Sequence, residues 1–328
     1  MERKAGTATG HRGGPRHAGS APVSARLDRV RLFGAKRWVR VQAYLLTAPA
    51  ALFLVLFLFY PLLNNFYLSL QDVGIANFRV GERPFVGLAN YARLVGDPVF
   101  HSSVGLTLLF VSVSLLGQFT IGFALAMFFN RAFPGFRVLR ALMLLGWLLP
   151  LVVTASIFRW MLEGDLGVVN HGLRAIGLTE LAKHWLTDPT TAIWGVILAN
   201  IWIGIPFNML LLLAGLQGIP RSLLEASIVD GANGWQRFWH VIWPLMKPVS
   251  LTVLILGVVY TFKVFDLILI MTGGGPVNAT TILTMFVYRT TFEFFRFGEG
   301  AAAAVLVMLI PLLFTIGYVR ATRHEEAL

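Results

Sequence analysis

Six long, mostly apolar runs alternate with polar stretches along this chain: Ala43 to Leu63, Ser103 to Phe129, Ala141 to Phe158, Ala192 to Leu216, Val249 to Met271 and Ala301 to Val319. A helix needs about 20 residues to cross a hydrocarbon core of about 30 Å, and each run reaches or approaches that length. The pattern predicts an all-α integral membrane protein with six transmembrane helices. Only the fifth run carries charge, at Lys263 and Asp266. Between the first two runs, turns at Gly87-Leu88 and Asp97-Pro98 bracket a short helix expected to lie on the membrane surface. Thr272-Gly273-Gly274-Gly275-Pro276 predicts the stop of the fifth helix, because glycine holds a helix poorly and the residue before proline is pushed out of the α region.

Composition agrees with this class: 56% of the 328 residues are hydrophobic and 13% charged, with mean hydropathy +0.71. A net charge of +11 raises the question of a nucleic-acid partner. Its distribution answers it, since 18 of the 27 Lys and Arg residues fall in the N-terminal tail, the loops around Arg137 and Glu225, and the C-terminal tail. Positive charge is retained on the cytoplasmic side, so both termini and the Glu225 loop are expected to face the cytoplasm. Residues 1–40, basic and without apolar periodicity, are expected to be a disordered cytoplasmic tail. The six-helix domain is expected over 41–320, with a short cytoplasmic tail over 321–328. The first run is too long for a cleavable signal peptide and lacks a small-residue cleavage site.

Candidate chemistry is sparse. The chain has no cysteine, which excludes a disulfide frame or a thiolate centre. The glycine pair in GQFTIG, Gly117 and Gly122, precedes Phe123 rather than Lys and lies in an apolar run, so it does not read as a phosphate loop. The seven histidines form no pair at metal-ligand spacing. No catalytic residue, metal site or resident cofactor is expected in this chain.

The polar segment EASIVDGANGWQRFWHVIWPLMKP, Glu225 to Pro248, separates the fourth and fifth runs. Gly231 permits a turn that a Cβ would resist, and Ala226 and Ala232 allow close approach of a partner. Its pattern resembles the cytoplasmic coupling motif of permease subunits of binding-protein-dependent ABC importers. The resemblance assigns contact with the ATPase to Glu225, Ala226, Ser227, Asp230, Gly231 and Ala232, within a coupling segment over 221–248. From Tyr44 to Tyr318 the chain is similar to permeases of the maltose and glycerol-3-phosphate type. That likeness rests on Tyr60-Pro61, FVGLANYARLVGDPVF (Phe85 to Phe100), the stretch from Arg137 to Asn170, and FDLILIMTGGGPVNATT (Phe265 to Thr281). It implies the type I importer permease fold in a bacterial or archaeal cytoplasmic (inner) membrane, as the first permease of a heterodimer. The implied partners are a second homologous permease, two cytoplasmic ATPase subunits that bind the ATP and magnesium, an extracytoplasmic solute-binding protein and a sugar.

Two stripes are candidates for the path. Asn200, Ile203, Gly204 and Phe207 recur at i, i+3, i+4 and i+7 and share a helical face holding an amide, a gap and an aromatic ring. Tyr260, Thr261 and Val264 form a similar patch. Sugars need hydrogen-bonding groups for hydroxyls and aromatic surface for their C–H faces, and in the maltose-type permeases the matching positions line the substrate site. Plain helix packing by small and aromatic residues is the other account of the same stripes. Charge in mid-membrane costs at least about 2.5 to 3.5 kcal/mol. Lys263 and Asp266, at i and i+3, are therefore expected either to pair along one helix or to serve the path, Lys263 favouring an anionic sugar or phosphate. An ion-gradient-driven secondary transporter using these two charges is the alternative function, and it leaves the coupling segment unexplained.

Overall fold

The computed structural model describes Gln42 and residues 44–323; the tail expected over 1–40 and residues 324–328 lie outside the described residues. Two compact units divide the chain at Leu63 and Asn64. Regular structure among the described residues is helical, apart from an isolated β-bridge between Gln71 and Phe85.

The first apolar run forms helix α1, Tyr44–Ser69, with a π-helical turn over Val55–Phe59. Two short helices follow, α2 (Ile75–Val80) and α3 (Ala89–Val95), the latter being the helix expected between Gly87 and Pro98. Asn90 of α3 is fully buried and donates to Ser69 O at 2.7 Å and Gln71 O at 2.9 Å, closing the loop beneath the end of α1.

Helix α4 runs Pro98–Phe129 and starts five residues before the expected span. Asp97 caps it by accepting from Val99 N at 2.7 Å, and proline suits the first helical position because its missing N–H would be unpaired there anyway. Its main partner is α8, Ala192–Gln217. The two helices touch through glycine: a Cβ on Gly122 would fall 2.7 Å from Asn208 Cβ, and one on Gly117 would fall 2.6 Å from Ile201 Cδ1. Small residues at a crossing let helix backbones approach.

Two expected spans need correction. The run Ala141 to Phe158 is not one rod but two helices, α5 (Phe136–Leu148) and α6 (Leu151–Met161), bent by 96°. Pro150 drives Leu149 to an extended conformation, φ −66° and ψ 138°, and the helix cannot pass. The fifth span, expected over Val249 to Met271, is displaced. After α7 (Val168–Ala175) and α9 (Arg221–Val229), helix α10 runs Gly234–Phe262 and stops at Lys263, and a separate short helix, α11, covers Asp266–Met271. Thr284 Oγ1 donates to the carbonyl of Val264 at 2.7 Å, satisfying a group that the break frees. Helices α12 (Leu283–Tyr288) and α13 (Phe297–Arg323) complete the fold. Met271 ends α11 and the next two glycines, Gly273 and Gly274, take φ of 60° and 86°, so the expected helix stop is where the sequence places it.

The core has two parts. One gathers Phe110, Val196, Leu267, Ile268 and Ile282; the other gathers Phe123, Met209, Leu212 and Met246. Helices α4, α8 and α10 thus form the frame that carries most of the positions expected to line a path.

Candidate functional site: a central cleft and a coupling turn

A cleft of about 350 Å³ opens among α4, α5, α6, α8, α10 and the break after Phe262. All nine positions expected to line a path face it: Asn200, Ile203, Gly204, Phe207, Tyr260, Thr261, Lys263, Val264 and Asp266. The stripes on α8 and α10 therefore meet at one concave surface.

Aromatic rings form one wall. Trp147 stacks on Phe207 with centroids 5.7 Å apart, and Phe207 meets Tyr260 edge-on at 5.6 Å. Lys263 Nζ lies 4.5 Å from the centroid of the Tyr260 ring, within cation–π range. Lys263 and Asp266 do not form the intrahelical pair considered from their spacing; the ion pairs of the described residues lie elsewhere. The physical reason is the helix break, since Lys263 caps α10 with φ −91° and ψ 3° while Asp266 opens α11. Both charged side chains instead remain exposed on the cleft.

The space expected at Gly204 is filled rather than empty. A Cβ there would fall 2.2 Å from Cδ of Gln118, whose Nε2 donates to Asn200 O at 2.9 Å. Asn208 Nδ2 donates to Gly204 O at 2.9 Å. The sequence reading missed Gln118, Asn208 and Trp147 as lining residues. Asn208 extends the Asn200 stripe to i+8, and Gln118 is an amide inside an apolar run. The helical period thus carried a signal for Asn208, whereas the amide of Gln118 marks a polar atom in the membrane without placing it at the cleft.

Away from the cleft, the segment expected to couple to an ATPase is a helix and a turn. Helix α9 ends as Asp230 N donates to Ala226 O at 2.9 Å and Ala232 N to Ser227 O at 2.9 Å, around Gly231 at φ 79°. This is a glycine-centred C-cap, which needs the left-handed region. Ser227 is buried and bonds Leu224 O, whereas Glu225, Ala226, Asp230 and Gly231 are exposed and Ala232 is half-buried. Asn233 and Gln236 then cap α10 reciprocally at 2.9 Å. The sharp reversal thus presents the Glu225 carboxylate outward, with no ion pair or hydrogen bond to the described residues. In the loop after α6, the Glu163 carboxylate lies below its ordinary range, chiefly because it accepts from Leu166 N–H. It serves there as a backbone brace.

The chain over residues 118–322 matches the family of binding-protein-dependent transport system inner membrane components. It is 35% identical over 284 residues to a trehalose/maltose transport system permease of Thermococcus litoralis, covering 86% of this chain and 94% of that one. It is 34% identical to a sulfoquinovosyl glycerol transport system permease of Agrobacterium fabrum, covering 92% and 98%. Its fold is similar to a chain of a bacterial ABC transporter that imports the acidic polysaccharide alginate, with TM-score 0.75, 24% identity, and 90% and 99% of the two chains covered. Protein class and fold thus agree: an α-helical membrane permease of the type I importer architecture. The chain belongs to the binding-protein-dependent transport family and is a multi-pass inner-membrane permease.

Proposed function

We propose that this chain forms half of the translocation pathway of an ATP-driven carbohydrate importer. The observation that carries the reading is the convergence of all nine lining positions on one cleft that joins an aromatic wall to buried carboxamides. Such a surface matches a sugar, whose C–H faces stack on rings and whose hydroxyls need donors and acceptors. The names of the trehalose/maltose and sulfoquinovosyl glycerol permeases support the same substrate class. The other half of the path is a second, homologous permease. ATP and magnesium bind to two partner ATPases, which grip Glu225 to Ala232, and a solute-binding protein delivers cargo at the opposite face. Both termini lie with the coupling segment on the cytoplasmic side. This chain itself catalyses nothing; closure of the ATPases moves α9 as a lever and switches the cleft between its two faces.

The test is uptake by proteoliposomes holding the whole complex with its binding protein, against radiolabelled trehalose, maltose, sulfoquinovosyl glycerol and an alginate oligosaccharide. ATP-dependent accumulation of at least one is expected. Uptake driven by an ion gradient without ATP would overturn the reading in favour of a secondary transporter.

Two variants examine its parts. Glu225→Ala removes one member of an interface charge pair, a loss that costs about 2 to 5 kcal/mol when the pair is close. ATPase association should weaken at least about tenfold, read by co-purification and by transport-coupled hydrolysis. Phe207→Ala removes the ring between Trp147 and Tyr260, and the KM for uptake should rise about tenfold for a loss near 1.4 kcal/mol. Hydrolysis stimulated by the binding protein should persist in that variant, because the coupling turn is untouched.

A further inference from the structure

The carboxamides of Gln118 and Asn208 meet at Gly204, that of Asn200 lines the same cleft, and their hydrogen bonds do not close. Asn200 is 5% exposed and Asn208 2% exposed, yet Asn200 Nδ2 and Asn208 Oδ1 have no partner. Gln118, also 5% exposed, uses Nε2 on Asn200 O. A carbonyl only accepts, so the end of Gln118 that faces Asn200 must be its NH₂ group. Its Oε1 is left as an acceptor without a hydrogen bond of its own. Gly204 makes the arrangement possible, because any Cβ would strike the Gln118 amide.

An unpaired buried amide atom costs about 1 to 3 kcal/mol, and the cost of unsatisfied polar groups rises at membrane depth. Apolar residues of similar volume would pack α4 on α8 without that penalty. The atoms without a hydrogen bond are of both kinds, one donor (Asn200 Nδ2) and three acceptors (Asn208 Oδ1, Asn200 Oδ1 and Gln118 Oε1); Asn200 Nδ2 and Asn208 Oδ1 are the fully buried ones, and all three residues line the cleft. A single cation or anion would satisfy only one kind. A hydroxyl, which donates and accepts together, satisfies both.

We propose that Gln118, on α4, is a specificity-determining contact that reads ligand hydroxyls together with Asn200 and Asn208. The inference rests on the cleft being a sugar path and deepens it, because it assigns discrimination to a helix outside the two stripes. Asn200 supplies a donor and Asn208 an acceptor. Gln118 is pinned by its own NH₂ so that its oxygen meets the cargo. The selected chemistry is a polyhydroxylated ring with adjacent free hydroxyls.

The chain contains no cysteine, so a single introduced thiol is its only one. In the full complex, with the other subunits made cysteine-free, Gln118→Cys and Asn208→Cys should react with 2-aminoethyl methanethiosulfonate. The reaction should slow about tenfold when whichever of the four labelled sugars is transported is present at saturation. Ser114→Cys, one turn away and fully buried, should stay unlabelled. For a second measurement, Gln118→Met keeps the length of the side chain and removes its acceptor. Monodeoxy analogues of the transported sugar are then compared with the parent. The wild type should lose about tenfold in kcat/KM for at least one analogue, and Gln118→Met about twofold or less for that same analogue. Equal losses in wild type and variant for every analogue, or no labelling at position 118 in any nucleotide state, would overturn the inference while leaving the sugar path standing. If the wild-type complex accumulates none of the four sugars, the path reading fails and this inference falls with it.

Discussion

Gly231→Leu is expected to abolish uptake while leaving the protein inserted and folded. At φ 79° a leucine is held in the left-handed region, at a cost of about 1 to 2 kcal/mol. The chain itself offers no obstacle, since a Cβ on Gly231 meets nothing within 4 Å. The damage therefore falls on the shape of the turn and on whatever partner surface approaches it, not on the core. Three readouts separate these. Expression and thermal unfolding in detergent should match wild type to within a few degrees; uptake should fall below about a tenth; and Gly231→Asn, which tolerates this backbone region, should retain more transport than Gly231→Leu. A well-expressed Gly231→Leu protein that imports normally would remove the turn from the coupling surface.

The second large effect is expected at Gly122, where the loss is of folding. Its face on α4 sits against α8 so closely that a Cβ at this position would lie 2.7 Å from Asn208 Cβ and 3.1 Å from Met209 N. A backbone atom cannot rotate away as a side-chain tip can. Gly122→Leu must separate α4 from α8, the most extensive helix pair of the fold, and the cost of overpacking such a contact is about 3 kcal/mol. The variant should show a clearly lowered unfolding temperature and poor recovery from the membrane. Gly105→Leu, on the same helix with nothing within 4 Å, is the matched control and should behave as wild type.

Much of the fold was legible because hydropathy and capping act locally. Asp97-Pro98 starts α4, Gly231 turns the chain after α9, and the glycines after Met271 end α11, each by a mechanism contained in neighbouring residues. The breaks inside apolar runs were harder to read. Hydropathy over Val249 to Met271 stays high across Lys263, and the group that accommodates the stop, the hydroxyl of Thr284, arrives from 20 residues downstream of Val264. The stripes on α8 and α10 were legible from helical period alone, since Phe207 and Tyr260 each lie on a face with polar and small neighbours. Gln118 was hidden for the opposite reason. Its significance depends on α8 crossing at Gly204, a contact between residues 86 positions apart in sequence that no local pattern encodes.

The elbow at Leu149 and Pro150 changes how force can pass through the molecule. Helix α6, at 11 residues, is a strut of about 16 Å, so a turn of about 10° at its base displaces its far end by about 3 Å. Trp147 and Leu151 stand on either side of that pivot and both face the cleft. A straight rod would have to tilt bodily through its neighbours to reshape the same wall. A jointed one would alter the opening by flexing at the two extended residues Leu149 and Pro150, while the close glycine contacts keep α4 and α8 against each other.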